Sequence, residues 1–74
     1  MDFTYDRLFG QNIRKIREEN GFTQEQLAAR LQTLGCDITR SALAKIEAGQ
    51  RHIYSWEIRA LRTALDVPYD RLFV

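Results

Sequence analysis

Residues 21–49 read GFTQEQLAARLQTLGCDITRSALAKIEAG, and the punctuation of this stretch decides the fold. Phe22-Thr23 with Leu27, and Ile38-Thr39 with Leu43, each set an apolar residue before a threonine and a second apolar residue further into the segment. This is the pattern of a hydrophobic staple around an N-cap threonine. Gln26 falls at the third helical position, so Thr23 and Gln26 can satisfy each other's free backbone N–H groups as a capping box. Gly35 and Gly49 stand where each helical pattern stops and a left-handed residue is wanted. The stretch therefore predicts two helices, near 23–34 and 39–48, joined by a glycine-containing turn.

The same signals recur outward from it. Phe3-Thr4 with Leu8 is a third staple, Gly21 a third stop, Ser55 after Tyr54 a cap without a staple, and Pro68 fits the first turn of a last helix. Further helices are expected near 4–20, 55–65 and 68–73. Apolar residues fall on single faces: Leu8, Phe9, Ile13 and Ile16 in the first helix, Leu27, Leu31 and Leu34 in the second, Ile58, Leu61 and Leu65 in the fourth. No strand pattern, repeat or linker interrupts them. The expected fold is all-α, a compact five-helix domain over residues 1–74.

Composition agrees. The chain has 74 residues, 45% hydrophobic and 28% charged, enough for one core and too few for two. Cys36 is the only cysteine and His52 the only histidine, so neither an intramolecular disulfide nor a four-ligand zinc site can staple it, and no cofactor is called for. No apolar run reaches the ~18–20 residues needed to cross a bilayer, and the acidic start Met-Asp-Phe-Thr-Tyr-Asp is unlike a signal peptide, so a cytoplasmic protein is expected. Eleven Lys and Arg against ten Asp and Glu give a net charge of +1. Bulk charge makes no case for nucleic acid; only the placement of charges can.

The third helix supplies that placement. At about 100° per residue, Leu43, Ile46 and Ala42 share one side, and Arg40, Ser41, Ala44, Lys45 and Ala48 the other. Arg and Lys can reach guanine O6 and N7, Ser bonds either polarity, and Ala allows close approach and can meet a thymine methyl. An ordinary solvated amphipathic helix has the same composition. What separates the two readings is the capped helix and glycine turn just before it, the order of a helix-turn-helix.

The blocks Ile13-Arg14-Lys15-Ile16-Arg17, Gly21-Phe22-Thr23-Gln24-Glu25-Gln26-Leu27-Ala28, Leu43-Ala44-Lys45-Ile46-Glu47-Ala48-Gly49 and Leu61 through Ala64-Leu65-Asp66-Val67 to Leu72-Phe73 resemble the phage Cro and repressor helix-turn-helix family. Within it they are most similar to the short regulators of Gram-positive bacteria and their prophages. The resemblance covers about residues 9–73 and implies a lambda-repressor-like domain that binds double-stranded DNA in a sequence-specific way as a transcriptional regulator, a repressor in the first instance. It implies that Gln24 lies at the DNA backbone and braces Arg40. Thr39, Arg40, Ser41, Ala44 and Lys45 then occupy base-facing positions, and Gln50, Arg51 and His52 contact phosphate. Arg17 and Glu47 match an inward-facing ion pair between the first and third helices; Glu47 adjoins Ile46 on the apolar side of its helix, which favours the pair over two solvated charges.

Two features depart from the family pattern. Between Ala28 and Leu43 the chain is about five residues longer, which implies a longer second helix and a wider loop before Thr39. Ala48 stands where relatives often carry a phosphate-contacting side chain. Cys36, in the longer loop, reads as a small half-buried residue, since no flanking Lys, Arg or His favours a thiolate.

A lone domain reading one half-site binds weakly, so a homodimer on a palindromic operator is expected, with half-sites ~34–36 Å apart. Tyr54, Trp56, Tyr69, Phe73 and Val74 are candidates for its interface; Trp56 and Phe73 can equally close the end of the core. The competing function is a protein-interaction module such as the antitoxin of a toxin–antitoxin pair. An enzyme is disfavoured: Glu18-Glu19 is the only adjacent carboxylate pair, its members do not face each other on a helix, and no activated nucleophile, phosphate loop or metal cluster is legible. Neither a membrane nor a small-molecule partner is indicated.

Overall fold

The computed structural model describes residues 4–73. Its elements are α1 (Thr4–Glu19), α2 (Gln24–Thr33), α3 (Arg40–Glu47), α4 (Ser55–Leu65) and α5 (Tyr69–Leu72), with no strand among the described residues. The predicted caps explain α2 and α3. Thr23 Oγ1 accepts from the Gln26 N–H at 3.1 Å while Gln26 Oε1 accepts from the Thr23 N–H at 2.9 Å, and Thr39 Oγ1 accepts from the Ala42 N–H at 3.1 Å. Elsewhere the caps differ from expectation. Thr4 is already helical, and Phe3, like Val74, lies outside the described residues. At α4 the cap is Tyr54, not Ser55: the Glu57 carboxylate reaches back to accept from the Tyr54 N–H at 3.0 Å. Pro68 is the N-cap of α5 and lies just outside its first turn.

The core contains Ile13, Ile16, Leu27, Leu31, Ile38, Leu43, Ile46, Leu61 and Leu72, each fully buried and each contributing ~1.5–3 kcal/mol of apolar burial. Two expected core residues are exposed: Leu8 at 46% and Leu34 at 47%. On α1 the buried stripe runs through Phe9, Gly10, Ile13, Ile16 and Arg17, and Leu8 lies about 100° outside it. Leu34 keeps the helical spacing but is the residue on which α2 ends; the loop after it fills the core with Cys36 and Ile38 instead.

That loop is a built structure. Gly35 N–H donates to Gln32 O at 3.0 Å and Cys36 N–H to Leu31 O at 2.9 Å, which is the Schellman closure of a helix end. Gln32 Nε2 then donates to Ile38 O at 3.2 Å and draws the chain back to α2 before Thr39 starts α3. The turn follows a ten-residue α2, and α3 packs on both α1 and α2.

Close packing of α1 on the end of α3 depends on Gly10. A β-carbon there would fall 2.1 Å from Ile46 O and 2.8 Å from Glu47 O, distances no side chain tolerates, so the helix surface must be bare. Asn12 of α1 and Asn20, in the turn just after it, hold the C-terminal part: Asn12 Nδ2 donates to Arg71 O at 2.7 Å and Leu72 O at 2.8 Å, and Asn20 Nδ2 donates to Leu65 O at 3.0 Å. These carbonyls end α4 and α5, where no helical N–H is left to serve them.

Candidate nucleic-acid interface

The outer face of α3 begins at its cap. Thr39 uses its hydroxyl oxygen on the Ala42 N–H, which leaves the hydroxyl hydrogen for an external acceptor. Arg40, Ser41 and Lys45 are exposed, Ala44 is half-buried and Ala48 exposed. Neither Arg40 nor Lys45 is held in an ion pair among the described residues. The face thus presents two free cations, a hydroxyl and two methyl groups on one short helix. Its other side carries Leu43 and Ile46 into the core.

The helix is anchored by a buried network. Arg17 on α1 donates from Nε to Glu47 Oε2 at 2.7 Å, from Nη2 to Glu47 Oε1 at 3.0 Å and from Nη1 to Phe22 O at 2.8 Å. Gln24, the first residue of α2, adds Nε2 to Glu47 Oε1 at 3.1 Å. One carboxylate on α3 therefore gathers a donor fork from α1 and an amide from α2, and the hydrogen bond to Glu47 raises the basicity of Arg17 further. No buried side-chain nitrogen or oxygen among the described residues lacks a partner. Gln24, expected to brace Arg40, turns its amide Nε2 onto Glu47, a buried carboxylate that requires donors. Arg14, Arg17, Thr23, Gln24, Glu25 and Arg40 line a shallow groove at the start of α2, where unpaired helical N–H groups favour an anion.

The segment after α3 carries Gln50 and His52, both exposed, with His52 Nδ1 3.8 Å from Asp6 Oδ2. Arg51, expected on phosphate, makes its hydrogen bonds within the chain. Its Nη1 and Nη2 donate to Glu57 Oε1 and Oε2 at 2.9 and 2.8 Å, and Nη1 also donates to His52 O at 3.0 Å. Glu57 is only 5% exposed, and a carboxylate that deep requires a counter-charge. The Arg51 hydrogen bonds hold its carboxyl below the usual carboxylate range, against the opposing effect of burial.

The four aromatic residues proposed for dimerisation do not form one cluster. Tyr54 and Trp56 stack at 4.8 Å with their rings 4° from parallel. Phe73 packs on Phe9 at 5.2 Å and shares an apolar groove with Tyr5, Leu8, Ile53 and Ile58. Tyr69 lies under the Arg62 guanidinium, 4.9 Å from its ring centre. Trp56 at 63% and Phe73 at 54% exposure do not close the core, which ends on Leu72. Sequence reasoning missed Asn12, Asn20 and Glu57; the spacing Tyr54 to Glu57, an acidic residue at the third helical position, was the one signal available for the last of these.

A helix-turn-helix family model matches residues 13–72. Among solved structures, the chain is similar to the restriction-modification controller protein C.AhdI from Aeromonas hydrophila, with a TM-score of 0.86 and 34% identity over 96% of each chain. No curated protein matches it. With the model covering most of the chain and the likeness running through every helix, the chain belongs to the helix-turn-helix family and is a DNA-binding regulator of transcription.

Proposed function

We propose that the chain binds a palindromic operator as a homodimer, with α3 of each copy in the major groove. Arg40, Ser41, Ala44 and Lys45 read base edges there, with Thr39 at the groove's margin. Gln24, Gln50 and His52 set register on the phosphates. The observation that carries this reading is the pairing of a free basic outer face on α3 with the buried Arg17–Glu47–Gln24 network behind it. The network lets α1, α2 and α3 enter a groove as one rigid body.

The dimer is supported by exposed apolar surface: Tyr54 at 47% and Tyr69 at 46%, besides Trp56 and Phe73. The chain measures 32 × 22 × 20 Å, so two abutting copies can set their third helices about one DNA turn, ~34–36 Å, apart. The likeness to a restriction-modification controller over nearly its whole length favours a narrower role, control of the genes of such a system, with repression as its simplest form.

Selection from a random duplex library at two salt concentrations, followed by sequencing, tests the proposal. Recovery of a palindrome whose retention weakens as salt rises is the expected result. Recovery of no motif overturns it in favour of a protein-interaction module. A palindrome upstream of methyltransferase or endonuclease genes supports the narrower role; sites only elsewhere in the genome overturn that role alone.

A further inference from the structure

Arg51 lies between the two exposed side chains assigned to phosphate, Gln50 and His52, yet its own charge is spent inward. Its guanidinium makes a two-pronged bond to Glu57 and a third bond to the His52 carbonyl, while Glu57 Oε1 also accepts from the Tyr54 N–H. One buried carboxylate thus fixes His52 through Arg51 and Tyr54 directly, at either side of Ile53. The segment needs such a clamp. Gln50 N–H closes α3 on Lys45 O, and among the described residues the next backbone bond along the chain is Glu57 N–H to Tyr54 O; between them side chains position the segment.

We infer that Arg51 and Glu57 are a positioning pair for DNA binding: Arg51 does not contact phosphate but sets the height and register of Gln50 and His52 against the backbone. The inference rests on the DNA-binding reading above. A contact set by geometry falls off within about half an ångström of misplacement, so a change in the clamp acts at a distance. The geometry also separates the pair from a direct phosphate ligand. A ligand works through its charge and a lysine largely replaces it, whereas a fork on a carboxylate requires the planar guanidinium.

The test measures duplex affinity across a salt series for wild type, R51K, R51A, E57Q and the Q50A/H52A background, each checked for folding by circular dichroism at the assay temperature. R51K and E57Q are expected to weaken binding about tenfold or more with the slope of log K against log salt unchanged, and to lose that effect in Q50A/H52A. A slope that falls by about one in R51A, with E57Q binding as tightly as wild type or tighter, makes Arg51 a phosphate ligand and overturns the inference. Wild type that retains no duplex at either salt overturns the DNA-binding reading itself. If R51K or E57Q is unfolded, hydrogen exchange at the Tyr54 amide of wild type decides. Protection well above that of the exposed loop amides supports the clamp, and exchange at their rate overturns it.

Discussion

Arg17 and Glu47, 30 positions apart in sequence, meet as a side-on fork at 2.7 and 3.0 Å with both side chains almost wholly withdrawn from water. The pair joins the first helix to the recognition helix at the point where α2 begins, and a third donor, Gln24, completes the carboxylate's shell. Such a pair contributes less net stability than its short distances suggest, because both charges give up hydration. Its consequence is orientation: α3 cannot rotate about its axis without stranding a buried charge.

Removing one partner is therefore costly. Glu47→Ala leaves the Arg17 guanidinium buried with only the Phe22 carbonyl, and stability is expected to drop by about 3–5 kcal/mol. Urea denaturation measures this, and an unchanged midpoint shows that the pair carries no such constraint.

Gly10→Ala is expected to destabilise the fold although it raises helix propensity. The added methyl collides with the Ile46 and Glu47 carbonyls, backbone atoms that cannot rotate away, and overpacking of this kind costs about 1–3 kcal/mol or more. A melting temperature at or above wild type would mean that α1 and α3 separate freely.

Arg40→Ala and Lys45→Ala are expected to relax preference at particular base pairs of the selected operator, each by about 1–3 kcal/mol of discrimination against the wrong base. Gln50→Ala is expected to weaken all sequences alike. Repeating the library selection with each variant distinguishes the two, and uniform weakening by all three substitutions leaves no base-reading face.

Acid sensitivity follows from Glu57. Its folded-state carboxyl titrates below its unfolded value, chiefly through the Arg51 hydrogen bonds, so its stabilising contribution is complete above the unfolded value of ~4.3 and is lost as pH falls through the depressed one. Stability measured from pH 7 down to 3 is expected to fall less steeply in Glu57→Gln than in wild type over that acid range. Parallel curves would show that Glu57 titrates alike in both states.

Cys36 is buried, and loss of hydration pushes its thiol up from the usual range, with nearby Glu57 acting in the same direction. Native protein at pH 8 is expected to react with a disulfide reagent at least ~10-fold more slowly than urea-unfolded protein. Equal rates would place the thiol at the surface.

Much of the fold was legible because it is written in local chemistry. Thr23, Gln26 and Thr39 cap helices through bonds spanning three residues, and Gly21, Gly35 and Gly49 take positive φ at the stops the sequence marks. The face of α3 follows likewise from helical periodicity. Periodicity misled where a helix outruns its neighbours: Leu34 keeps the spacing of Leu27 and Leu31, but the chain leaves α2 there and hands the core to Cys36 and Ile38.

What the sequence alone determined is thus the set of helices, their buried sides and the basic face offered to a groove, all properties of residues within one or two turns of each other. Tertiary structure decided which of the cations are taken by a carboxylate. Arg17, Arg40, Lys45 and Arg51 are all cations in the chain, but a carboxylate that the fold buries requires a counter-charge within hydrogen-bond reach. The fold sets Glu47 against Arg17 and Glu57 against Arg51, so among these four Arg40 and Lys45 remain to face outward. Only the packing of α1 on α3 brings Glu47 to Arg17, and only the turn from α3 into α4 brings Glu57 to Arg51.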